Sequence, residues 1–320
     1  MKAVVFKSYG PPDVLKIEEI EKPAPADDEA LVRVYATSVN PAEWYGMTGL
    51  FLARLGGGLF KPKDNRLGAD YAGVVEAVGK NVTDFKPGDK VFGGKRGAFA
   101  EYICVRDNIA PMPVGIPFEQ LGGVAIAALT ALQGLRDHGE LHAGQKVLIN
   151  GASGGVGTFA IQIAKAFGAE VTAVCSTANL ESARSLGADT VVDYTKQDFT
   201  RNSQEYDLLF DISGSRSWRE CKRMLKPNAT VVLVGGPKTP LIGPLSHIIK
   251  MHLSALRASQ RVIFFVANFN RPDFMTLKRM MESGQVKTVI DRVYPLCEIS
   301  DAMRYLGTGH ARGKIIISIQ

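Results

Sequence analysis

Cysteine is scarce in this chain: the four among 320 residues, Cys104, Cys175, Cys221 and Cys297, are too far apart for a metal knuckle and too few for a disulfide scaffold. That dispersion fits a reducing compartment, and the cytoplasm is the expected location. Histidine is nearly as sparse. The five, His138, His142, His247, His252 and His310, fall into no metal or triad spacing, and Gly139 and Gly144 make a turn of the one pair spaced four apart, so His138 and His142 read as surface residues. No apolar run approaches the ~18 residues of a membrane span, and MKAVVFKSYG is too short in apolar residues for a secretory leader. An excess of one charge is missing too. Thirty-eight Lys and Arg against 32 Asp and Glu leave +6 with no dense basic run, so nucleic acid is not an expected partner.

What is present is a globular composition, 46% hydrophobic and 22% charged with 33 Gly and 16 Pro, in a chain long enough for two cores. Up to about residue 115, short β-branched runs (AVVF, ALVRVYATSV, YAGVVEAVG, FAEYICV) alternate with turns such as FKPGDK, the pattern of a mostly antiparallel β domain. A boundary falls near Pro117. FEQLGGVAIAALTALQGLRDHGEL then reads as one long buried helix, and beyond it strand-like runs (KVLIN, EVTAVC, TVVDY, YDLLFDI, ATVVLVG, RVIFFVAN) alternate with helices (VGTFAIQIAKAFG, NLESARSLG, SWRECKRML), which implies parallel strands with crossovers. Past Asn270 come helix, strand, helix and the final strand GKIIISI.

The stretch KVLINGASGGVG carries the chemistry. A strand ends at Ile149, glycines turn the backbone and allow close approach of a ligand, and a helix starts near Gly155 or Val156 with its free amides and positive dipole end facing that ligand. Ala152 takes the first position of a G-x-G-x-x-G pattern, followed by Gly154 and Gly157 with Gly155 as an extra, so a dinucleotide pyrophosphate is expected on Ser153, Gly154, Gly155, Val156 and Gly157. The end of the next strand reads Cys175, Ser176, Thr177, Ala178, Asn179. With no carboxylate between Glu170 and Glu181 to repel a 2′-phosphate, NADPH is the expected cofactor; an indifferent site is the alternative.

The motifs ATSVNPAEWYGMTG, GADYAGVVEAVGKNVTDFKPGDKVFG, GAFAEY, LTALQGL, NGASGGVG, SLGADTVVDY and ARGKIII stand in an order that resembles the zinc-free quinone oxidoreductase branch of the medium-chain dehydrogenase/reductase superfamily. The resemblance implies an α/β fold: a GroES-like β domain from residues 1–117 and 269–320, a doubly wound Rossmann domain over 118–268, and the cofactor in the cleft between them. In zinc-bearing relatives a Cys and a His-Glu pair hold the metal; here Asn40 and Ala69-Asp70 stand in those places, so no metal is expected. It also implies Tyr194 beside the adenosine, Ser176 and Asn179 at the 2′-phosphate, and Asn40, Thr130, Gly235 in its VGGP turn and the backbone of Phe264, Phe265 and Val266 near the nicotinamide. Many NADPH-using relatives carry Arg or Lys where Asn179 stands. A homodimer through the RVIFFVAN edge is implied as well.

Hydride from NADPH to a quinone, or to the β-carbon of an α,β-unsaturated ketone or aldehyde, suits a site without zinc, with Asn40, Tyr45 and the nicotinamide ribose hydroxyl as the candidate donors to the developing oxyanion and water or Tyr45 returning the proton. Trp44, Tyr45, Met47, Phe51, Leu52, Leu55, Leu59 and Phe60, with Gly56 to Gly58, form either a mobile apolar lid or ordinary core. The small hydrophobic substrate of this reading has two rivals: a trans-acting enoyl reductase on thioester-bound acyl chains, and a non-enzymatic NADPH-binding redox sensor.

Overall fold

The computed structural model describes residues 1–50, 54, 57–201, 204–236 and 244–319. Phe51, Leu52, Leu55, Gly56 and Pro237 of the VGGP turn lie outside them.

The chain opens with an antiparallel pair, β1 (Lys2–Val5) and β2 (Lys16–Glu19). The buried β3 (Ala30–Val39) runs into Asn40, where Pro41, its φ preset for a helix, and Glu43 in the first turn begin α1 (Pro41–Thr48); Gly49 at φ +66° ends it. β4 (Asp70–Val78), β5 (Lys90–Gly94), β6 (Tyr102–Val105) and β7 (Ile109–Pro111) add antiparallel pairings around β3.

Residues 118–141, which read as one helix, are interrupted. α2 (Phe118–Leu121) stops at Gly122 and Gly123, α3 (Ala125–Gln133) follows, and a π-helical turn covers Gly134–His138. The cause is close packing: a Cβ on Gly122 would lie 2.8 Å from the Ala36 carbonyl carbon, and one on Gly134 would lie 2.5 Å from the Phe210 ring. α2 packs on β3 and β4 rather than extending the next helix.

From here strands and helices alternate: β8 (Lys146–Asn150), α4 (Gly155–Ala166), β9 (Glu170–Cys175), α5 (Leu180–Ser185), β10 (Thr190–Asp193), β11 (Tyr206–Asp211), α6 (Trp218–Lys222), β12 (Leu225–Leu233), α7 (Leu245–Ala255) and β13 (Arg261–Phe264). All six strands are parallel, in the order β10-β9-β8-β11-β12-β13, which is the doubly wound arrangement with its switch point between β8 and β11. Two details differ from the sequence reading. β13 ends at Phe264 instead of running through Asn268, and α7 was not anticipated: Ile248, Met251 and Ala255 are buried on it, while Ile249 and Leu253 face solvent beside Lys250.

Asn270 caps α8 (Arg271–Glu282) by accepting the Asp273 amide at 2.9 Å; β14 (Ile290–Pro295), α9 (Ile299–Thr308) and β15 (Lys314–Ser318) complete the chain. β15 pairs parallel with β14 and antiparallel with β3, so the larger sheet takes strands from both chain ends. Contacts divide the chain into one unit of Met1–Ile126 with Asn268–Gln320 and a second of Ala127–Ala267. The first is built around Val32, Tyr71, Phe99 and Ile315, the second around Leu148, Leu209, Val231 and Leu233. Among the described residues no helix is long and apolar enough to cross a membrane.

Candidate active site

In the second unit, Gly151 follows β8 at φ +93°, a conformation that favours glycine, and Gly154 caps α4. The two pattern glycines differ physically. A Cβ on Gly157 would lie 2.3 Å from the Gly151 carbonyl oxygen, so glycine there lets helix and loop touch. A Cβ on Gly154 would meet no atom of the chain closer than 3.8 Å, so glycine there leaves open space beside the first-turn amides of Gly155, Val156 and Gly157. Ser153, Gly154, Gly155 and Val156 are half-buried at this cradle, and its shape and polarity fit a pyrophosphate.

At the end of β9 the Asn179 amide donates to Ser176 Oγ at 2.9 Å. The fold brings a carboxylate here that the β9 sequence lacks: Asp193, opposite Cys175 in the sheet register, accepts from Thr177 Oγ1 and from Thr195 N at 3.0 Å. These hydrogen bonds, Thr177 foremost, hold Asp193 below the usual carboxylate range, and the exposed Lys196 ammonium is 3.8 Å from it. Tyr194 next to it is 54% exposed.

At the same end of this sheet but past the switch point, a Cβ on Gly235 would lie 2.4 Å from the Ile212 carbonyl oxygen. Phe264 and Val266 are exposed, whereas Phe265 stacks on His138 with ring centroids 4.3 Å apart, so His138 is a packing residue and not simply surface. Below the switch point Asp211 accepts from Asn150 Nδ2 at 2.8 Å and Gly214 N at 2.9 Å, and its second oxygen faces His247 Nε2 of α7 at 3.5 Å. Thr130 lies half-buried on α3.

In the first unit, Asn40 is 2% exposed and fully engaged. Its Nδ2 donates to Asp70 Oδ2 at 3.1 Å and to the Ser38 carbonyl at 3.4 Å, and its Oδ1 accepts from Lys314 Nζ. Asp70 in turn accepts from Ser38 Oγ, from Lys314 Nζ at 3.3 Å and, at Oδ1, from the Ile126 amide at 2.7 Å where α3 begins. Glu43 Oε2 accepts the Asn40 amide hydrogen at 2.7 Å. An amide with every polar atom occupied has no donor left for a substrate oxygen, so Asn40 organises this corner instead of reaching into a pocket. Sequence reasoning missed Glu43 and Lys314. The spacing Asn40-Pro41-x-Glu43 is a helix-start signal that could have found the first; nothing local marks the second.

Tyr45 is half-buried on α1, burial holds its phenol above the usual range, and among the described residues no hydrogen bond engages its hydroxyl. The expected lid divides. Met47 is fully buried and the Trp44 ring lies against Gly307 of α9, so both are core, whereas Leu59 and Phe60 are exposed. Gly58 is held in a turn at φ +115°.

Zinc does not fit the place where zinc-bearing relatives hold it, since Asn40 and Asp70 are taken up by a buried ammonium. The families described as "Zinc-binding dehydrogenase" and "Alcohol dehydrogenase GroES-like domain" match residues 186–317 and 26–114. An NADPH-dependent alkenal/one oxidoreductase of Arabidopsis thaliana, a chloroplastic protein, is 35% identical over 337 residues, covering 99% of this chain and 79% of the relative. A trans-enoyl reductase of Aspergillus terreus is 35% identical, covering 91% and 86%. The structure of the quinone oxidoreductase from Coxiella burnetii superposes with a TM-score of 0.87 at 30% identity, covering 100% of this chain and 99% of that one. The chain therefore belongs to the zinc-free quinone oxidoreductase branch of the medium-chain dehydrogenase/reductase superfamily.

Proposed function

We propose that the protein is an NADPH-dependent oxidoreductase that reduces quinones or the carbon-carbon double bond of α,β-unsaturated ketones and aldehydes without a metal. The observation that carries this reading is the open cradle at Gly154, heading a helix in a chain whose metal position is filled by Lys314. The nicotinamide cofactor, when bound, supplies the hydride. Ser153, Gly154, Gly155, Val156 and Gly157 hold the pyrophosphate by backbone amides, while Thr130, Gly235 and the Phe264 to Val266 backbone orient the nicotinamide. Tyr45, kept protonated by its surroundings, donates to the oxygen on which negative charge develops; Asn40 positions it.

The preference for NADPH over NADH rests on Ser176 and Asn179, with Tyr194 against the adenine. Asp193 is turned onto Thr177 and Thr195, and Lys196 adds a positive charge beside the 2′-phosphate position. The partner surface is a second copy of the chain: β13 is a sheet edge, and the exposed Ile249, Leu253 and Leu256 flank it. The cytoplasm is the proposed location.

The test follows oxidation of NADPH, with NADH in parallel, against 9,10-phenanthrenequinone, a 2-alkenal, a γ-keto enone and an enoyl thioester. Turnover of a free quinone or enone with NADPH is expected. Turnover of the thioester alone assigns the protein to carrier-linked chemistry, and tight NADPH binding with no turnover assigns it to cofactor sensing.

A further inference from the structure

Three ionisable side chains lie where β3, α1, β4 and β15 converge, nearly shut off from water, Lys314 paired with Asp70 at 3.3 Å and Glu43 joined to them through Asn40: Glu43 is 5% exposed, Lys314 3% and Asp70 0%. Were all three ionised, two negative charges would face one positive charge in a dry site, and that imbalance is relieved if one carboxyl keeps its proton. Asp70 is not that group. Ser38 Oγ, Asn40 Nδ2, the Ile126 amide and the Lys314 ammonium all donate to it, which favours the carboxylate. Among the described residues no side-chain donor serves the Glu43 carboxyl, which accepts only from backbone amides, that of Asn40 at 2.7 Å and its own.

We propose that Lys314, Asp70 and Glu43 act as one positioning unit for the reduction: Asp70 balances Lys314, Glu43 stays un-ionised, and together they fix the Asn40 turn from which α1 presents Tyr45. The inference rests on the reductase reading above. Burial, and the Asp70 charge after it, push the Glu43 carboxyl up to about 8 against the pull of Lys314. Asp70 on β4 and Lys314 on β15 are the charged groups facing it. α9, which also packs on α1, meets it through Gly307 under Trp44, with Arg304 turned outward to Asp13 and Asp301. When Glu43 ionises, a second carboxylate competes for the Lys314 ammonium, draws it from Asn40 Oδ1, and loosens the turn.

The sign of the stability effect follows from the proton count. The ordinary value for Glu43 is 4.5 and the folded value about 8, so within that window the folded chain binds the extra proton. Stability is full below the window, falls as pH rises through it, and levels off above.

The experiment compares wild type with Glu43→Gln, which keeps shape and hydrogen-bonding capacity but cannot titrate. From about pH 7 to about pH 9.5, the wild-type kcat should fall about tenfold with KM for the nucleotide level, while the kcat of the variant stays level. Tyr45 ionises above that range and does not supply the fall. The melting temperature of wild type should drop relative to the variant between about pH 5 and about pH 8.5. In wild type alone, carbon-13 NMR of labelled glutamates should show one side chain titrating near pH 8, a readout that holds even if the variant does not fold. An equal alkaline fall in Glu43→Gln overturns the proposal, as does a wild type in which every glutamate titrates in the ordinary range. A melting difference without a kcat difference reduces the cluster to a structural one and also overturns it. If NADPH is oxidised by none of the acceptors, the reductase reading fails, while the NMR and melting results still decide the charge state of the cluster.

Discussion

Gly154 and Gly157, three positions apart, make opposite demands on the same loop. Alanine at Gly157 puts a methyl 2.3 Å from a backbone oxygen, a clash that should cost about 3 kcal/mol and be read as a lower melting temperature. Alanine at Gly154 meets only open space, so the fold should keep its melting temperature while NADPH affinity, measured by fluorescence titration, drops by about tenfold or more as the methyl occupies the cradle. Lys196→Ala should weaken NADPH about fivefold and leave NADH unchanged, since an exposed ion pair contributes about 1 kcal/mol; equal losses for both cofactors would remove Lys196 from the 2′-phosphate position. The glycine loop was legible in the sequence because strand, turn and helix are contiguous there. Asp193 and Lys314 were not, for a physical reason: a carboxylate arrives beside β9 from the neighbouring strand, and the Asn40 to Lys314 bond joins residues 274 positions apart. Asn40 itself was found by its place in the chain, but only its buried bonds reveal that its amide is already committed.

At the scale of elements, period and turn residues located the strands well, and failed where packing overrides periodicity. The break at Gly122 answers to Ala36 on β3, far away in sequence, and the buried stripe Ile248, Met251 and Ala255 of α7 is blurred by the apolar Ile249 and Leu253 on its exposed face. One helix contact carries a prediction. A Cβ on Gly307 would fall 2.5 Å from the Trp44 ring, so Gly307→Ala sets about 1 kcal/mol of gained helix propensity against an overpacking cost of about 1–3 kcal/mol. Overpacking should win. The variant should melt lower, and because Tyr45 follows Trp44 on α1, kcat should fall more than KM for the nucleotide changes.

At the scale of the molecule, β13 leaves one edge of the six-stranded sheet unpaired among the described residues, beside α7 and its C-cap, which show Ile249, Leu253 and Leu256 to solvent. Carboxylates in the double variant Leu253→Asp, Leu256→Asp should abolish self-association, seen as monomer mass in sedimentation, with little change in the melting of the subunit itself. An unchanged mass would move the partner surface elsewhere. The arrangement of the larger sheet bears on how a ribosome delivers this protein. Residues 127–267 emerge as one uninterrupted piece and hold the six-stranded parallel sheet, whereas β3, partnered early by β4 and β6, leaves its Ala36–Val39 end without its second neighbour until β15 has been made. Asn40 and Asp70 are made 274 and 244 residues before Lys314 and remain without its ammonium until it follows. A chain ending before β15 would keep the glycine cradle of residues 151–157 and lack the Lys314 ammonium that holds the Asn40 turn.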